Sequence, residues 1–113
     1  MRSTLNLVVA AMILMGSASA HVVIADPQAV AGSTFRAAFK VGHGCEGNPT
    51  TSLAIEIPEG VVAVKPMPKA GWTVDLRREK LVKSYDLHGK TITEDVREVT
   101  WRGGPLADAH YDE

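Results

Sequence analysis

The chain has 113 residues, and its 12 lysines and arginines nearly balance 13 aspartates and glutamates. A chain of this length has room for one domain of ordinary size and not for two. The formal net charge of −1 at pH 7 lacks the basic excess of nucleic-acid-binding domains, so we expect no nucleic-acid partner.

The first twenty residues have the parts of a secretory signal peptide in the usual order. Arg2 precedes an apolar run at residues 7–15, and small side chains occupy residues 16–20. The apolar run is shorter than the roughly 20 residues of a membrane-spanning helix. Alanines stand at the first and third positions before His21, which suits signal peptidase. We therefore predict a signal peptide over residues 1–20, cleavage before His21, and export to the periplasm or the extracellular space.

Cysteine usage is unusual for an exported chain, because Cys45 is the only cysteine in the sequence. Oxidising compartments favour paired cysteines. The final residues, Tyr111-Asp112-Glu113, contain neither a closing apolar strand nor a polar tail. We expect the sequence to be incomplete at its C-terminus, with a second cysteine in the continuation. An unpaired, buried Cys45 is the alternative.

Alternation of apolar and polar side chains dominates the chain after residue 20. This period of two is typical of half-buried strands, and it occurs at residues 35–41, 53–57, 72–76 and 81–87. The run at residues 92–101 is less regular, which predicts a strand with a bulge or a bend near Glu94-Asp95.

Segments rich in turn-forming residues separate these runs, at 42–49, 58–60, 66–71, 88–90 and 103–105. No stretch after residue 20 has an apolar face at helical spacing over three turns. Short strands with regularly spaced turns are typical of sandwiches. We therefore predict an all-β fold, a single β-sandwich domain over residues 21–113.

A histidine at a free N-terminus can hold one metal ion with two donors, because the α-amine and imidazole Nδ1 close a chelate ring. Both nitrogens suit Cu(II), which binds such sites more tightly than the other first-row divalent ions. Both must be deprotonated to bind, so copper binding should weaken as the pH falls. His21 is therefore the first candidate metal ligand, and a solvated terminus with no binding role is the alternative.

The other histidines are weaker candidates, and their spacing does not choose among them. His43 lies in a glycine-rich loop, where a hydrogen bond to the loop backbone is the expected role. His88 precedes Gly89 in a predicted hairpin turn, and His110 lies in a predicted irregular loop, so we expect both to be solvated.

Motifs of the common enzyme classes are absent from the sequence. It has no serine nucleophile elbow, no phosphate-binding glycine loop before a helix and no zinc-peptidase helix. We therefore expect no enzymatic activity. Trp72 and Trp101 lie on predicted strands, where we expect them to pack in the fold and not to stack on a ligand.

Several segments together carry a resemblance to a known family. The first are the mature start His21-Val22-Val23-Ile24 and the eight-residue loop from His43 to Thr50, which is specific in combination with the Pro-Gly-Trp pattern of residues 65–72. Further matching segments are Ile57-Pro58-Glu59-Gly60-Val61, residues 65–72 and Tyr111-Asp112-Glu113. Over essentially all of residues 21–113, the chain resembles the YcnI-like copper-binding proteins.

The resemblance implies an exported β-sandwich of the cupredoxin or fibronectin-like type that binds one Cu(II). In that family, the amine and the imidazole of the N-terminal histidine form a mono-histidine brace, which implies His21 here. A family carboxylate lies in a motif that resembles Asp112-Glu113, which implies Glu113 as a further metal ligand. A tryptophan and a cysteine of the longer family members lie beyond this sequence, and that cysteine would pair with Cys45.

We therefore expect a non-enzymatic Cu(II)-binding protein of the envelope, acting in copper homeostasis or delivery. Other envelope copper-handling proteins are its expected partners, and it would meet the membrane only during export or through a C-terminal anchor. An oxidative copper enzyme of the polysaccharide-monooxygenase type is a weaker alternative, because no second brace histidine is evident. An envelope scaffold in which His21 is incidental is the other alternative.

Overall fold

The computed structural model describes residues 22–42, 44 and 46–113. These residues form five strands and no helix: β1 (Val22–Ile24), β2 (Phe39–Val41), β3 (Thr50–Glu56), β4 (Trp72–Leu87) and β5 (Lys90–Leu106). The predicted all-β fold is confirmed, and so are the two antiparallel sheets that a β-sandwich requires. Nothing in these ranges forms a helix capable of crossing a membrane. The predictions for the signal peptide, His21, His43 and Cys45 lie outside the described residues.

The chain divides into two compact units, and the first contains the described residues up to Thr50 together with residues 106–113. In this unit β1 pairs antiparallel with β2, with Val22 opposite Val41. A single β-bridge joins the other edge of β2 to the C-terminal segment, where Val41 and Asp112 face each other. Their backbones exchange two hydrogen bonds, of 2.9 and 3.2 Å. β2 is therefore the middle of three extended segments.

The strand predicted over residues 35–41 is shorter in the structure and begins only at Phe39. β1 ends at Ile24, and the last backbone bond beyond it runs from the N–H of Ala25 to the carbonyl of Ala38, at 2.7 Å. Pro27 follows two residues later and has no N–H to extend the ladder. Within the described ranges, no strand therefore pairs with the alternating residues upstream of Ala38.

The second unit, residues 51–105, contains a three-stranded sheet in the order β3-β5-β4. The two predicted runs at 72–76 and 81–87 are a single strand, β4, which forms one long hairpin with β5. Its two-residue turn, His88-Gly89, has φ values of 50° and 80°, as the common tight hairpin turn requires. The register shifts between Arg77 and Arg78 and again between Lys80 and Tyr85, and the two shifts flank the paired residues Glu94 and Asp95.

The turn predicted at residues 103–105 is wrong, because β5 continues through these residues to Leu106. Gly103 pairs with Trp72, and the N–H of Gly104 donates to the carbonyl of Gly71 at 3.1 Å. Glycine serves here to let two backbones approach closely within a sheet, which composition alone does not distinguish from a turn.

Two charged side chains of β5 fix the loop that follows β3. Asp95 is buried, and its Oδ2 accepts the backbone N–H of Ala63 at 2.6 Å. The guanidinium of Arg97 donates to three backbone carbonyls of the loop, those of Ile57, Pro58 and Val61. Among the described residues, every buried side-chain nitrogen or oxygen has a hydrogen-bond partner.

The apolar core of the second unit is small and includes Leu81, Val96 and Val99. We expect Val96→Ala to lower the free energy of unfolding by about 2 kcal/mol, because Val96 is 1% exposed and truncation leaves a cavity. Urea denaturation measures this loss. Val82→Ala is the matched control, since Val82 is 91% exposed and its replacement should leave the midpoint unchanged. Equal midpoints for the two variants would contradict the assignment of Val96 to the core.

Candidate functional site

The structure describes three of the candidate metal ligands, and all three are exposed, as the sequence predicts for His88 and His110. His88 is exposed in the β4–β5 turn of the second unit, and His110 is exposed in a turn where its N–H donates to the carbonyl of Ala107 at 2.9 Å. Glu113 is exposed in the C-terminal segment of the first unit. His21 and His43 lie outside the described residues.

The first unit presents one row of inward side chains across its three extended segments. Val22, Val41 and Asp112 occupy equivalent positions through the β1–β2 pairing and the bridge. Directly opposed residues of antiparallel strands place their side chains on the same face. Val41 is buried, and Val22 and Asp112 are half-buried. The side chain of Asp112 therefore belongs to the inner face of this unit.

The neighbouring residues belong to the opposite face, because side chains alternate along extended segments. All four are exposed, and we call them the outer face: Val23, Lys40, Tyr111 and Glu113. Val23 pairs directly with Lys40, and the register of the Val41–Asp112 bridge puts Lys40 level with Glu113. Glu113, and not Asp112, is therefore the acidic residue that the C-terminal segment presents on the side of Val23.

Hydrogen bonds to residues close in sequence hold the side chains of Asp112 and Glu113. The hydroxyl of Tyr111 donates to Oε2 of Glu113 at 2.9 Å. The backbone N–H of Glu113 donates to Oδ1 of Asp112 at 2.8 Å. The bond to Glu113 is also the main reason that the pKa of Tyr111 is raised, ahead of burial and the negative charges of Glu113 and Asp112. The Glu113 carboxylate thus accepts a hydrogen bond from a side chain, and the Asp112 carboxylate accepts one from the backbone.

A further contact ties the C-terminal segment to the loop between β2 and β3. Oδ1 of Asp108 accepts the backbone N–H of Gly44 at 2.8 Å. Gly44 is buried, and Asp108 is half-buried. The C-terminal segment is therefore attached within the first unit both at Val41 and at Gly44.

The two tryptophans lie in the second unit, and both are half-buried. The indole N–H of Trp101 donates to the carbonyl of Met67 at 3.0 Å, which fixes the loop before β4. Trp72 begins β4 opposite Gly103. These contacts give both residues a place in the fold.

The sequence of residues 21–113 matches the model of a family described as a domain of unknown function, DUF1775. The chain belongs to the DUF1775 family. Comparison with curated proteins and with solved structures found no match. Both predicted metal ligands, His21 and Glu113, lie inside the matched residues of the DUF1775 domain.

The described part of this DUF1775 domain contains no group of three histidine, cysteine, aspartate or glutamate side chains placed to hold a metal ion. Glu113, on the outer face, is the predicted metal ligand that lies within the described ranges. His21, one residue before β1, is the donor that the sequence predicts.

Sequence reasoning missed Tyr111 as the partner of Glu113 in the DUF1775 domain. The signal was present, because residues two apart in an extended segment share a face. It required knowing that residues 111–113 are extended, and only the bridge to Val41 shows this.

Proposed function

We propose that this DUF1775 domain is an exported, non-enzymatic Cu(II)-binding protein that acts in copper homeostasis or delivery in the envelope. Its ligands are the amine and imidazole of His21 and the carboxylate of Glu113. The YcnI-like copper-binding proteins, which the sequence resembles, contain the DUF1775 domain. The proposal includes cleavage before His21, because only a free N-terminal histidine supplies both nitrogens.

The structural observation that supports this proposal is the reciprocal backbone pair between Val41 and Asp112. It attaches the C-terminal segment to one edge of β2, while β1 occupies the other edge. Adjacent strands lie about 4.8 Å apart, so β1 and the C-terminal segment are separated by about 10 Å. Two side chains that point toward each other from these segments can share one metal ion.

The proposal requires His21 to continue the alternation of β1, which would place its side chain on the outer face. Val23 and Glu113 lie on that face, whereas Asp112 lies on the inner face. The register therefore favours Glu113 over its acidic neighbour as the partner of His21.

The donor set is chemically suited to Cu(II). Two nitrogens and one carboxylate oxygen match the mixed N,O coordination that Cu(II) prefers, and copper ranks highest in affinity among the first-row divalent ions. The carboxylate also offsets part of the charge of the metal. No residue has to be reduced, oxidised or covalently changed, which fits a protein that binds and passes on an ion.

The test compares the exported form, its N-terminus verified by mass spectrometry, with an extended form that has one extra, N-acetylated residue before His21. Cu(II) is titrated while the electron paramagnetic resonance spectrum is recorded. We expect the native form to bind one equivalent with nitrogen hyperfine structure. The extended form should bind about a hundredfold more weakly, because its acetylated N-terminus supplies no amine and the chelate advantage is lost.

Two acidic variants identify the oxygen ligand in the same titration. Glu113→Gln should weaken binding, and its matched control, Asp112→Asn, should not, because Asp112 lies on the inner face. Equal binding by the native and extended forms, or no binding by either, would overturn the copper proposal. An envelope scaffold would then be favoured if the copper-free protein captured a specific envelope partner.

A further inference from the structure

We infer that the outer edge of β3 is a self-association surface, at which two copies of this chain pair antiparallel and join their three-stranded sheets into one. The pairing places Leu53 of one copy beside Leu53 of the second copy. This inference goes beyond the proposed copper function and does not depend on it, because β3 contains none of the proposed metal ligands.

The two outer strands of the sheet in the second unit differ in how they are protected from other chains. Within the described residues, β3 and β4 are the outer strands and β5 lies between them. Natural edge strands avoid pairing with other chains through charged side chains and interrupted ladders. The ladder of β4 shifts register twice. Charged side chains also occupy many positions of β4: Asp75, Arg77, Arg78, Glu79, Lys80, Lys83 and Asp86.

The strand β3 has few such protections. Its 7 residues include no proline and a single charged side chain, that of Glu56 at the last position. In the part of the chain that the structure describes, no strand pairs with the side of β3 that faces away from β5. Strands of five to six residues are the most common, at about this length. The edge of β3 is therefore long enough to bind a strand of another chain.

The backbone of β3 directs hydrogen-bonding groups toward this edge. The N–H of Ile57, directly after β3, donates to the carbonyl of Arg97 in β5 at 2.8 Å. Backbone groups alternate in direction along a strand, so Ser52, Ala54 and Glu56 present theirs on the side away from β5. All three residues are exposed. An antiparallel partner strand supplies a donor and an acceptor for each of them.

The apolar side chains of β3 favour a second copy in one register. Leu53 and Ile55 are half-buried on the face opposite to Ser52 and Ala54. With Leu53 on a two-fold axis, it packs against Leu53 of the second copy, and Ser52 pairs with Ala54. Leu53 then loses exposure to water. A shift of one residue would turn one copy over and place its apolar side chains on the exposed face of the other.

Charge favours the antiparallel direction. Glu56 then lies opposite Thr50 of the second copy, and the two Glu56 carboxylates are separated by about 20 Å along the strands. Salt screens charges at that separation, since the Debye length is about 10 Å at 0.1 M ionic strength. Parallel pairing would instead set Glu56 beside Glu56. The formal net charge of −1 adds little repulsion between two copies.

The size of the contact predicts its strength. A single pair of strands buries less than the roughly 1,200 Å² below which protein complexes are typically weak and transient. We therefore expect a monomer–dimer equilibrium with a Kd between about 1 μM and 1 mM.

The test is sedimentation velocity of the exported form at increasing protein concentration, with a chelator present so that no metal ion bridges two copies. We expect the weight-average sedimentation coefficient to rise from the value of a monomer toward that of a dimer. A monomer at every concentration up to about 1 mM would overturn the inference.

Variants with paired charges determine the register. Ser52→Lys combined with Ala54→Lys sets lysine opposite lysine in the dimer and should raise the Kd about tenfold. Ser52→Glu combined with Ala54→Lys sets opposite charges across the same contact and should lower the Kd about threefold. Both positions are exposed, so we expect the fold to be kept, and urea midpoints verify this.

Val82→Lys is the matched control, because it adds a lysine to the other outer strand, where Val82 is 91% exposed. It should leave the Kd unchanged. If Val82→Lys abolishes the dimer and the β3 variants do not, the contact lies on β4 and the inference is wrong. Equal Kd values for the like-charge and the opposite-charge variants would contradict the antiparallel register.

Discussion

Replacement of Gly103 by alanine is expected to lower the free energy of unfolding by about 4 kcal/mol, the largest effect of any single change that we predict. Gly103 has a φ of 145°, which side chains rarely tolerate. An added Cβ would also lie 2.9 Å from Cα of Trp72 and would overlap the carbonyl oxygen of Gly71. Both obstacles are backbone atoms at or just before the start of β4, so no rotamer change relieves the clash.

Gly89→Ala is the control that separates the clash from the backbone conformation. Gly89 has a φ of 80°, but a Cβ there meets no atom within 4 Å. Its replacement should therefore cost about 1 kcal/mol, from the left-handed conformation alone. Urea denaturation followed by tryptophan fluorescence measures both variants. Equal losses would show that the close approach of Gly103 to the start of β4 is not what requires glycine.

The contrast between these two glycines also shows what the sequence could predict of the fold. The His88-Gly89 turn follows from local chemistry, since two alternating runs flank a pair of residues that adopt positive φ. The role of Gly103 depends on Trp72, which lies far away in sequence and is brought close only by the hairpin register. Local patterns therefore predict strands and tight turns better than they predict contacts between strands.

The features of the candidate site also divide into those that a local pattern predicts and those that depend on contacts between strands. The sequence predicts His21 from its position after the signal peptide, and the family resemblance implies Glu113 through a short acidic motif; both are local features. The separation of Glu113 from Asp112 onto opposite faces depends on the bridge to Val41. The partnership of Tyr111 with Glu113 depends on the extended conformation that this bridge imposes. Neither follows from the sequence until the partner of the C-terminal segment is known.

Arg97→Ala is expected to lower the free energy of unfolding by about 3 kcal/mol, because the side chain joins β5 to the loop after β3. Its Nη2 donates to the carbonyl of Val61 at 2.6 Å, and its Nη1 donates to that of Pro58 at 3.1 Å. Its Nε also donates to the carbonyl of Val96 at 2.8 Å. Truncation would leave the part-buried carbonyls of Val61 and Val96 without a charged donor, and bonds to charged groups contribute more than neutral ones.

The position of Arg97 in the sheet explains why this residue makes these contacts. The consecutive β4 residues Arg77 and Arg78 pair with Glu98 and Val96. Arg97, between these two partners, is therefore the extra residue of a bulge in β5. A bulge redirects a side chain that regular pairing would point elsewhere. The backbone of Arg97 also accepts the N–H of Ile57 at 2.8 Å, so the loop is held by main chain and side chain together.

Two further variants decide whether the planar fork of Arg97 or its charge stabilises the loop. Arg102→Ala removes an arginine from the same strand whose exposed pair with Asp75, at 3.3 Å, should contribute about 0.5 kcal/mol or less. Arg97→Lys keeps the charge but cannot reach several carbonyls from one rigid plane, so it should recover less than half of the loss. Full recovery by lysine would assign the effect to charge. A loss in Arg97→Ala no larger than that in Arg102→Ala would show that the loop after β3 does not depend on this side chain.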